Sequence, residues 1–292
     1  MANFPGTSGN DVYAGTGEAD TISDGGGGSD NLGGAGGADV ITVTGGIDTA
    51  SGGDGSDRLA VTFTASVSAV STSSFSGDLA SGYSGYYDGS GSNDVSFSGI
   101  EHFTFVHLGA GAANFRTGDG NDSMVGGASA DVLNSANGAD TLNGGAGLDV
   151  WSANYATRNG GLNIDLGKVS NLYGGGSVRN MESFGTFVGG TGADRITSTA
   201  LATTHEYVAG GGGDDVISLF GKGLDTVEGG DGVDTMSITF ISTVGSTGWS
   251  SFSFPASTRC STATASEGRC RRPSGCAASP WPSGCRSRCW AA

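Results

Sequence analysis

Aspartate recurs along this chain at a fixed interval. Asp11, Asp20, Asp30, Asp39, Asp48 and Asp57 follow one another at 9 or 10 residues, and Asp122, Asp131, Asp140 and Asp149 at 9. Asp194, Asp215, Asp225 and Asp234 make a third, looser run. Several close a glycine-rich stretch, as in GGDGSD at 52–57, GGAGLD at 144–149 and GGDGVD at 229–234. Carboxylates and carbonyls in such a pattern are suited to holding a hard cation. Glycine lets the backbone curl its carbonyl oxygens toward one centre, and Ca²⁺ takes about six to eight oxygen ligands. One loop cannot easily fill that shell, whereas two stacked loops can.

The elements that would stack the loops are written in the same period. Two residues after these aspartates stands an apolar side chain: Tyr13, Ile22, Leu32, Ile41, Leu59, Met124, Leu133, Leu142, Trp151, Ile196, Ile217, Val227 and Met236, with Ala50 the small exception. A unit this short cannot bury its apolar residue alone, so the period predicts a solenoid in which each unit rests on its neighbours. A coil of turn, strand, turn and strand closes in two units. Loop n then lies above loop n+2, and stacked partners are about eighteen residues apart. The 57 glycines would also suit a flexible linker, but a linker has no physical reason to keep an apolar position in register.

The stretches GGDGSDRLA (52–60), GGAGLDVWS (144–152), GGTGADRIT (189–197), GGGGDDVIS (210–218) and GGDGVDTMS (229–237) resemble the haemolysin-type calcium-binding nonapeptide repeats of RTX proteins. The resemblance covers residues 6–60, 117–152 and 189–237. It implies an all-β fold, a parallel β-roll (β-solenoid) filled with Ca²⁺, usually in secreted bacterial proteins. It also implies that the sixth-position aspartates are metal ligands, completed by carbonyls of the preceding turn. All fourteen aspartates named above are therefore candidates.

Departures from the pattern rank them. VTGGIDTAS (43–51) and SANGADTLN (135–143) lack the first two glycines, which predicts weaker binding at Asp48 and Asp140. One residue is inserted between Asp20 and Asp30, with Asp24 ahead of the GGGG run, and Asp194 stands 21 residues before Asp215, out of step for a pair. The pairs that fit best are Asp39 with Asp57, Asp122 with Asp140, Asp131 with Asp149, and Asp215 with Asp234.

The chain accordingly divides into repeat blocks at 1–60, 117–152 and 189–240, strand-rich inserts at 61–116 and 153–188, and an irregular tail at 241–292. In the inserts, VTFTASVSAV (61–70), DVSFSGIEHFTFVHL (94–108) and GLNIDLGKV (161–169) alternate apolar with polar residues and read as half-buried strands. Longer solenoid turns, or small sheets packed on the rolls, are expected there. Tyr83, Tyr86 and Tyr87 lie in a Gly/Ser-rich tip, a composition that suits either carbohydrate stacking or the covering of a sheet edge.

Charge limits the partners. Thirteen basic against 29 acidic residues give −16, which argues against nucleic acid and for cations. No run of eighteen apolar residues offers a membrane span, and MANFPGTSGND has neither the basic start nor the apolar core of a conventional signal peptide. RTX relatives commonly leave by type I secretion on an uncleaved C-terminal signal, so the resemblance implies an extracellular or cell-surface location.

The tail departs from that expectation. Residues 255–292 hold all five cysteines, four of the five prolines and no aspartate, and six arginines against Glu267 give +5. This change of sign and vocabulary is what a frameshifted end of a longer repeat protein would produce, and it puts type I export of this chain in question.

Enzymatic signatures are poor. The sequence contains neither HExxH nor GxSxG. His102 and His107 are five apart, which on a strand places them on opposite faces. GKGLD (221–225) lacks the spacing of a phosphate loop. The sequence thus reads as a non-enzymatic, calcium-binding, secreted or cell-surface structural or adhesive protein that folds on binding Ca²⁺. The alternative is an accessory RTX region of a truncated secreted hydrolase or toxin.

Overall fold

The computed structural model describes residues 1–90, 93–199, 201, 205–221, 225–240, 251–253 and 259–264. They form two units: Met1–Val150 with Tyr173–Asn180, and Trp151–Leu172 with the chain from Met181 onward. Both are built almost wholly of strands, most of them in parallel pairs.

In the first unit, successive repeats alternate between two sheets. Asn3–Pro5, Thr21–Ser23, Val40–Val43 and Arg58–Phe63 stack in parallel in one sheet. Val12–Ala14, Asn31–Gly37 and Gly46–Gly55 stack in the other. Thr21 faces Val40 and Val40 faces Arg58, steps of 19 and 18 residues. This is the two-unit coil that the sequence period predicts, a parallel β-roll.

Apolar residues two after each aspartate fall in columns. Phe4, Ile22, Ile41 and Leu59 are successive Cα partners, and so are Tyr13, Leu32 and Ala50. Ile22, Leu32, Ile41, Ala50 and Leu59 are fully buried. Tyr13, on an end rung with a neighbour on one side only, is half-buried. The inner columns are the hydrophobic core, and their burial is the main favourable term holding rung to rung.

The insert continues the sheets instead of packing on them or lengthening a turn, which corrects the expectation. His102–His107 extends the first sheet between Arg58–Phe63 and Ser123–Gly127, parallel to both. In the second sheet Asn93–Ile100 adds in parallel to Gly46–Gly55, and Gly82–Asp88 and Val70–Asp78 follow antiparallel before Ala113–Arg116 resumes the parallel order. Aromatic residues carry the column through this region: Tyr87 stacks on Phe97 at 4.9 Å, and Phe105 meets Tyr87 edge-on at 4.5 Å and Phe115 face-on at 5.1 Å.

That packing claims two of the three tip tyrosines. Tyr83 and Tyr87 are buried, Tyr87 Oη donating to the Arg116 carbonyl at 2.7 Å and Tyr83 Oη accepting the Asp119 N–H at 2.8 Å. They belong to the core, not to a stacking surface.

In the second unit, Asn163–Asp165, Arg195–Thr197, Val216–Gly221 and Thr235–Phe240 are parallel neighbours, and so are Ser183–Val188, Tyr207–Gly212 and Thr226–Asp231. Ile164, Ile196, Ile217 and Met236 form its inner column. Arg259–Thr264 pairs with Thr235–Phe240, so part of the basic tail continues this sheet. Cys270, Cys276, Cys285 and Cys289 lie outside the described residues, as do residues 222–224 of GKGLD.

Candidate metal centre

The aspartates do not merely sit at the turns; each ties its rung to the one before. The Asp20 N–H donates to Asp39 Oδ1 at 2.7 Å, the Asp39 N–H to Asp57 Oδ1 at 2.8 Å, and the Asp57 N–H to Glu101 Oε2 at 2.7 Å. A second ladder runs from Asp11 to Asp30 at 2.7 Å and from Asp30 to Asp48 at 2.9 Å. In the second block the Asp122 N–H reaches Asp140 Oδ1 at 3.0 Å, and the Asp131 N–H reaches Asp149 Oδ1 at 2.8 Å. In the second unit Asp194 reaches Asp215 at 2.8 Å, Asp215 reaches Asp234 at 3.1 Å, and Glu206 reaches Asp225 at 3.1 Å. All four pairs favoured by spacing are stacked neighbours. Asp194 and Asp215, out of step in sequence, are stacked as well: the extra residues sit in the connection between Thr197 and Tyr207, and the strands themselves keep register.

One oxygen of each carboxylate is thus committed to backbone. The other is not. Oδ2 of Asp30, Asp39, Asp48, Asp57, Asp122, Asp131, Asp140, Asp215 and Asp234, and Oε2 of Glu206, are buried with no hydrogen-bond partner among the described residues. The ion pairs Met1–Glu18 and Lys168–Asp165 involve none of these groups. A buried carboxylate without a partner is costly to charge, so it holds either a proton or a cation. Burial pushes the carboxyls of Asp48, Asp57, Asp122 and Asp131 up to about 6 and that of Asp215 to about 7. Burial, followed by the nearby charge of Asp122, takes Asp140 to about 8, and burial takes Glu206 to about 8.

The glycine five residues before the aspartate leaves room for that oxygen. A Cβ at Gly34, Gly126, Gly144, Gly210 or Gly229 would collide with Oδ2 of the aspartate closing its own turn. At Gly34, Gly126 and Gly210 the same position also meets the carbonyl oxygen of a glycine one rung away, Gly52, Gly144 or Gly229. The following residue takes a left-handed conformation, with φ of 101° at Gly53 and 127° at Gly127, which favours glycine a second time. Carboxylate and carbonyl oxygens therefore meet where no side chain intrudes. The donor set is all oxygen and suits a hard cation such as Ca²⁺.

The model of the RTX calcium-binding nonapeptide repeat matches four times, over residues 5–41, 33–60, 116–150 and 221–237. The chain carries RTX calcium-binding repeats. A comparison with the curated proteins finds no match. Residues 189–220, outside the matched spans, carry the same ladder geometry, with Asp194, Asp215 and Glu206 on ladders.

Not every candidate has the same surroundings. Oδ2 of Asp11, Asp20 and Asp194 accepts the N–H four residues earlier, from Thr7, Thr16 and Gly190 at 2.7, 2.7 and 2.9 Å. Asp11 is half-buried on an outer rung. Asp225 is buried and accepts the Glu206 N–H.

Three acids at these turns were not picked out by counting aspartates. Glu101 and Glu206 occupy aspartate positions, and both carry the signal of the repeat, an apolar residue two places later, Phe103 and Val208. Asp24 is the third, buried against the turn at 44–45. The histidines play no part in the ladders: His102 is half-buried, His107 is buried on the opposite face of the same strand, and His205 is exposed.

Proposed function

We propose that the protein is a calcium-dependent structural or adhesive repeat module of the extracellular space or cell surface, in which the roll itself is the working part and no reaction is catalysed. The observation that carries this reading is the set of buried, unpartnered carboxylate oxygens on adjoining rungs. On this reading the ladder aspartates and glutamates, with the turn carbonyls, hold Ca²⁺ between rungs. The ion supplies charge neutralisation at oxygens that, among the described residues, no salt bridge reaches. Low cytosolic Ca²⁺ would leave the ladders repelling one another before export, and millimolar Ca²⁺ outside would close them.

Isothermal titration of the full chain with Ca²⁺, paired with metal analysis after dialysis, tests it. Several ions per chain, removable by chelator, are expected. A chain that keeps its fold and takes up no Ca²⁺ would overturn the reading.

A further inference from the structure

Two irregularities of the first block answer each other. One is Asp24, the residue that lengthens the turn before Asp30; the other is the loop of Asp48, which has Val43 where its neighbours have glycine. In the loops of Asp11, Asp20 and Asp194 the aspartate accepts the N–H four residues before it. In the Asp48 loop the equivalent N–H, that of Thr44, donates instead to Asp24 Oδ2 at 2.6 Å. The Gly45 N–H donates to the same oxygen at 3.1 Å, and Thr44 Oγ1 lies 3.2 Å from Asp24 Oδ1. Asp24 thus secures the turn of the Asp48 loop, and Asp48 Oδ2 is left without a partner among the described residues.

The consequence is a third carboxylate in a two-carboxylate rung. Asp24, Asp30 and Asp48 are 0, 3 and 2% exposed, and one carboxylate oxygen from each lies within 4.8 Å of the others. Oδ1 of Asp30 and of Asp48 is committed to the ladder. Their Oδ2 atoms are buried and have no hydrogen-bond partner among the described residues. That second observation separates this cluster from an ordinary acidic patch, because unpartnered oxygens beside a third carboxylate call for a positive charge.

We propose that Asp24, Asp30 and Asp48 form a three-carboxylate site for a calcium-sized cation that fills before the paired-aspartate rungs. The proposal rests on the calcium reading of the ladders and refines it. Among oxygen-ligand sites affinity rises with the number of ligand charges and with rigidity, and here the extra charge is already fixed by three hydrogen bonds to Thr44 and Gly45. It reverses the ranking that loop composition gives, in which Asp48 closes a poor loop.

Stepwise titration of the full chain with Ca²⁺, followed by calorimetry and repeated with Tb³⁺ luminescence as a probe of similar size and higher charge, tests the order of filling. Asp24→Asn and Asp48→Asn each remove one charge from the triad, and Asp140→Asn removes one from a paired rung. The first binding phase should weaken about tenfold or more in both triad variants, with later phases and the β spectrum in saturating Ca²⁺ retained. It should be unchanged in Asp140→Asn. A first phase unaltered by Asp24→Asn would overturn the site while leaving the paired rungs standing. So would an Asp24→Asn chain that loses its β spectrum in saturating Ca²⁺, which would assign Asp24 to turn structure alone. Failure of the parent to bind Ca²⁺ at all would instead strike the underlying reading of the ladders.

Discussion

The N–H of Asp194 donates to Oδ1 of Asp215 at 2.8 Å, across 21 residues of chain where most rungs are 18 or 19 apart. The ladder is therefore specified by the turn and its strand, not by the count of residues between them. GGTGAD and GGGGDD keep the glycine five before the aspartate and the isoleucine two after it, and the intervening chain accommodates the surplus.

The first prediction concerns that glycine. A methyl at Gly126 would collide with Asp131 Oδ2 and lie 2.7 Å from the Gly144 carbonyl, whereas at Gly17 it would meet nothing within 4 Å. Gly126→Ala should lower stability in Ca²⁺ by about 1–3 kcal/mol, as overpacking does, and weaken Ca²⁺ uptake. Gly17→Ala should change neither. Denaturant midpoints measured at fixed Ca²⁺ check both, and equal behaviour of the two variants would remove the proposed reason for glycine at that position.

The parts of this molecule that were legible in the sequence are those that repeat. Asp131 and Asp149 could be paired from spacing because turn, strand and apolar residue recur with one period, and a solenoid repeats its contacts with its sequence. Glu101 and Glu206 escaped because the count followed one residue type, although a carboxylate one methylene longer meets the same backbone N–H. The in-plane insert was not legible because antiparallel pairing of Val70–Asp78 with Gly82–Asp88 depends on which sheet edge is open, a property of the assembled roll. Asp24 was visible as an irregularity, but its partner Thr44 is 20 residues away and no local pattern joins them.

Glu206 offers a prediction about charge without change of shape. Its Oε1 accepts the Phe184 N–H at 2.9 Å, while its Oε2 is buried with no partner among the described residues. Glu206→Gln can keep the first contact through its amide oxygen and removes the buried charge. At pH 8 the variant should bind one ion fewer, and its melting temperature should rise less than the parent's between low and high millimolar Ca²⁺. Thermal melts and metal analysis decide it; a variant destabilised by the same amount at both concentrations, with the full number of ions bound, would point to packing alone.

Leu142 tests the inner column. It is fully buried, with Met124 and Val178 as its Cα partners on the flanking strands. Leu142→Asp would place an uncompensated charge there, at a cost of roughly 3–5 kcal/mol. Loss of the Ca²⁺-induced β signal is expected, and a full signal at the parent's Ca²⁺ midpoint would place Leu142 outside the core.

Without metal the fold should prefer acid. Asp140 at about 8, Asp215 at about 7, and Asp48, Asp57, Asp122 and Asp131 at about 6 all titrate above the ordinary carboxylate value near 4, chiefly through burial. Between about pH 4 and these values the folded chain binds more protons than the unfolded chain, so stability falls as pH rises. The contribution is complete below about pH 4 and is lost by about pH 8. In chelator, β structure that is absent at pH 8 should therefore be regained as pH falls to 5. In excess Ca²⁺ the dependence should flatten or invert, because the ion competes with those protons. A metal-free chain more stable at pH 8 than at pH 5 would contradict the burial of these carboxylates.

The final prediction is that calcium decides whether the chain folds at neutral pH. Rungs such as Asp131 above Asp149 and Asp39 above Asp57 bring buried carboxylates together. The core beneath them is a narrow column of one to three apolar residues per strand, flanked by glycine turns whose ordering carries a high entropic cost. Extracellular Ca²⁺ modules bind at about 10⁻⁴ to 10⁻³ M. A tenfold excess over Kd stabilises the bound state by about 1.4 kcal/mol per site through linkage. Four sites would contribute about 5 to 6 kcal/mol, comparable with the whole stability of a small domain. Circular dichroism of the full chain should thus show coil in chelator and β structure in millimolar Ca²⁺. Mg²⁺ should substitute poorly, because it requires tighter octahedral geometry and dehydrates reluctantly. A β spectrum indifferent to chelator at neutral pH would mean that the inner column alone supports the roll and that the ladder acids are held by protons, not by metal.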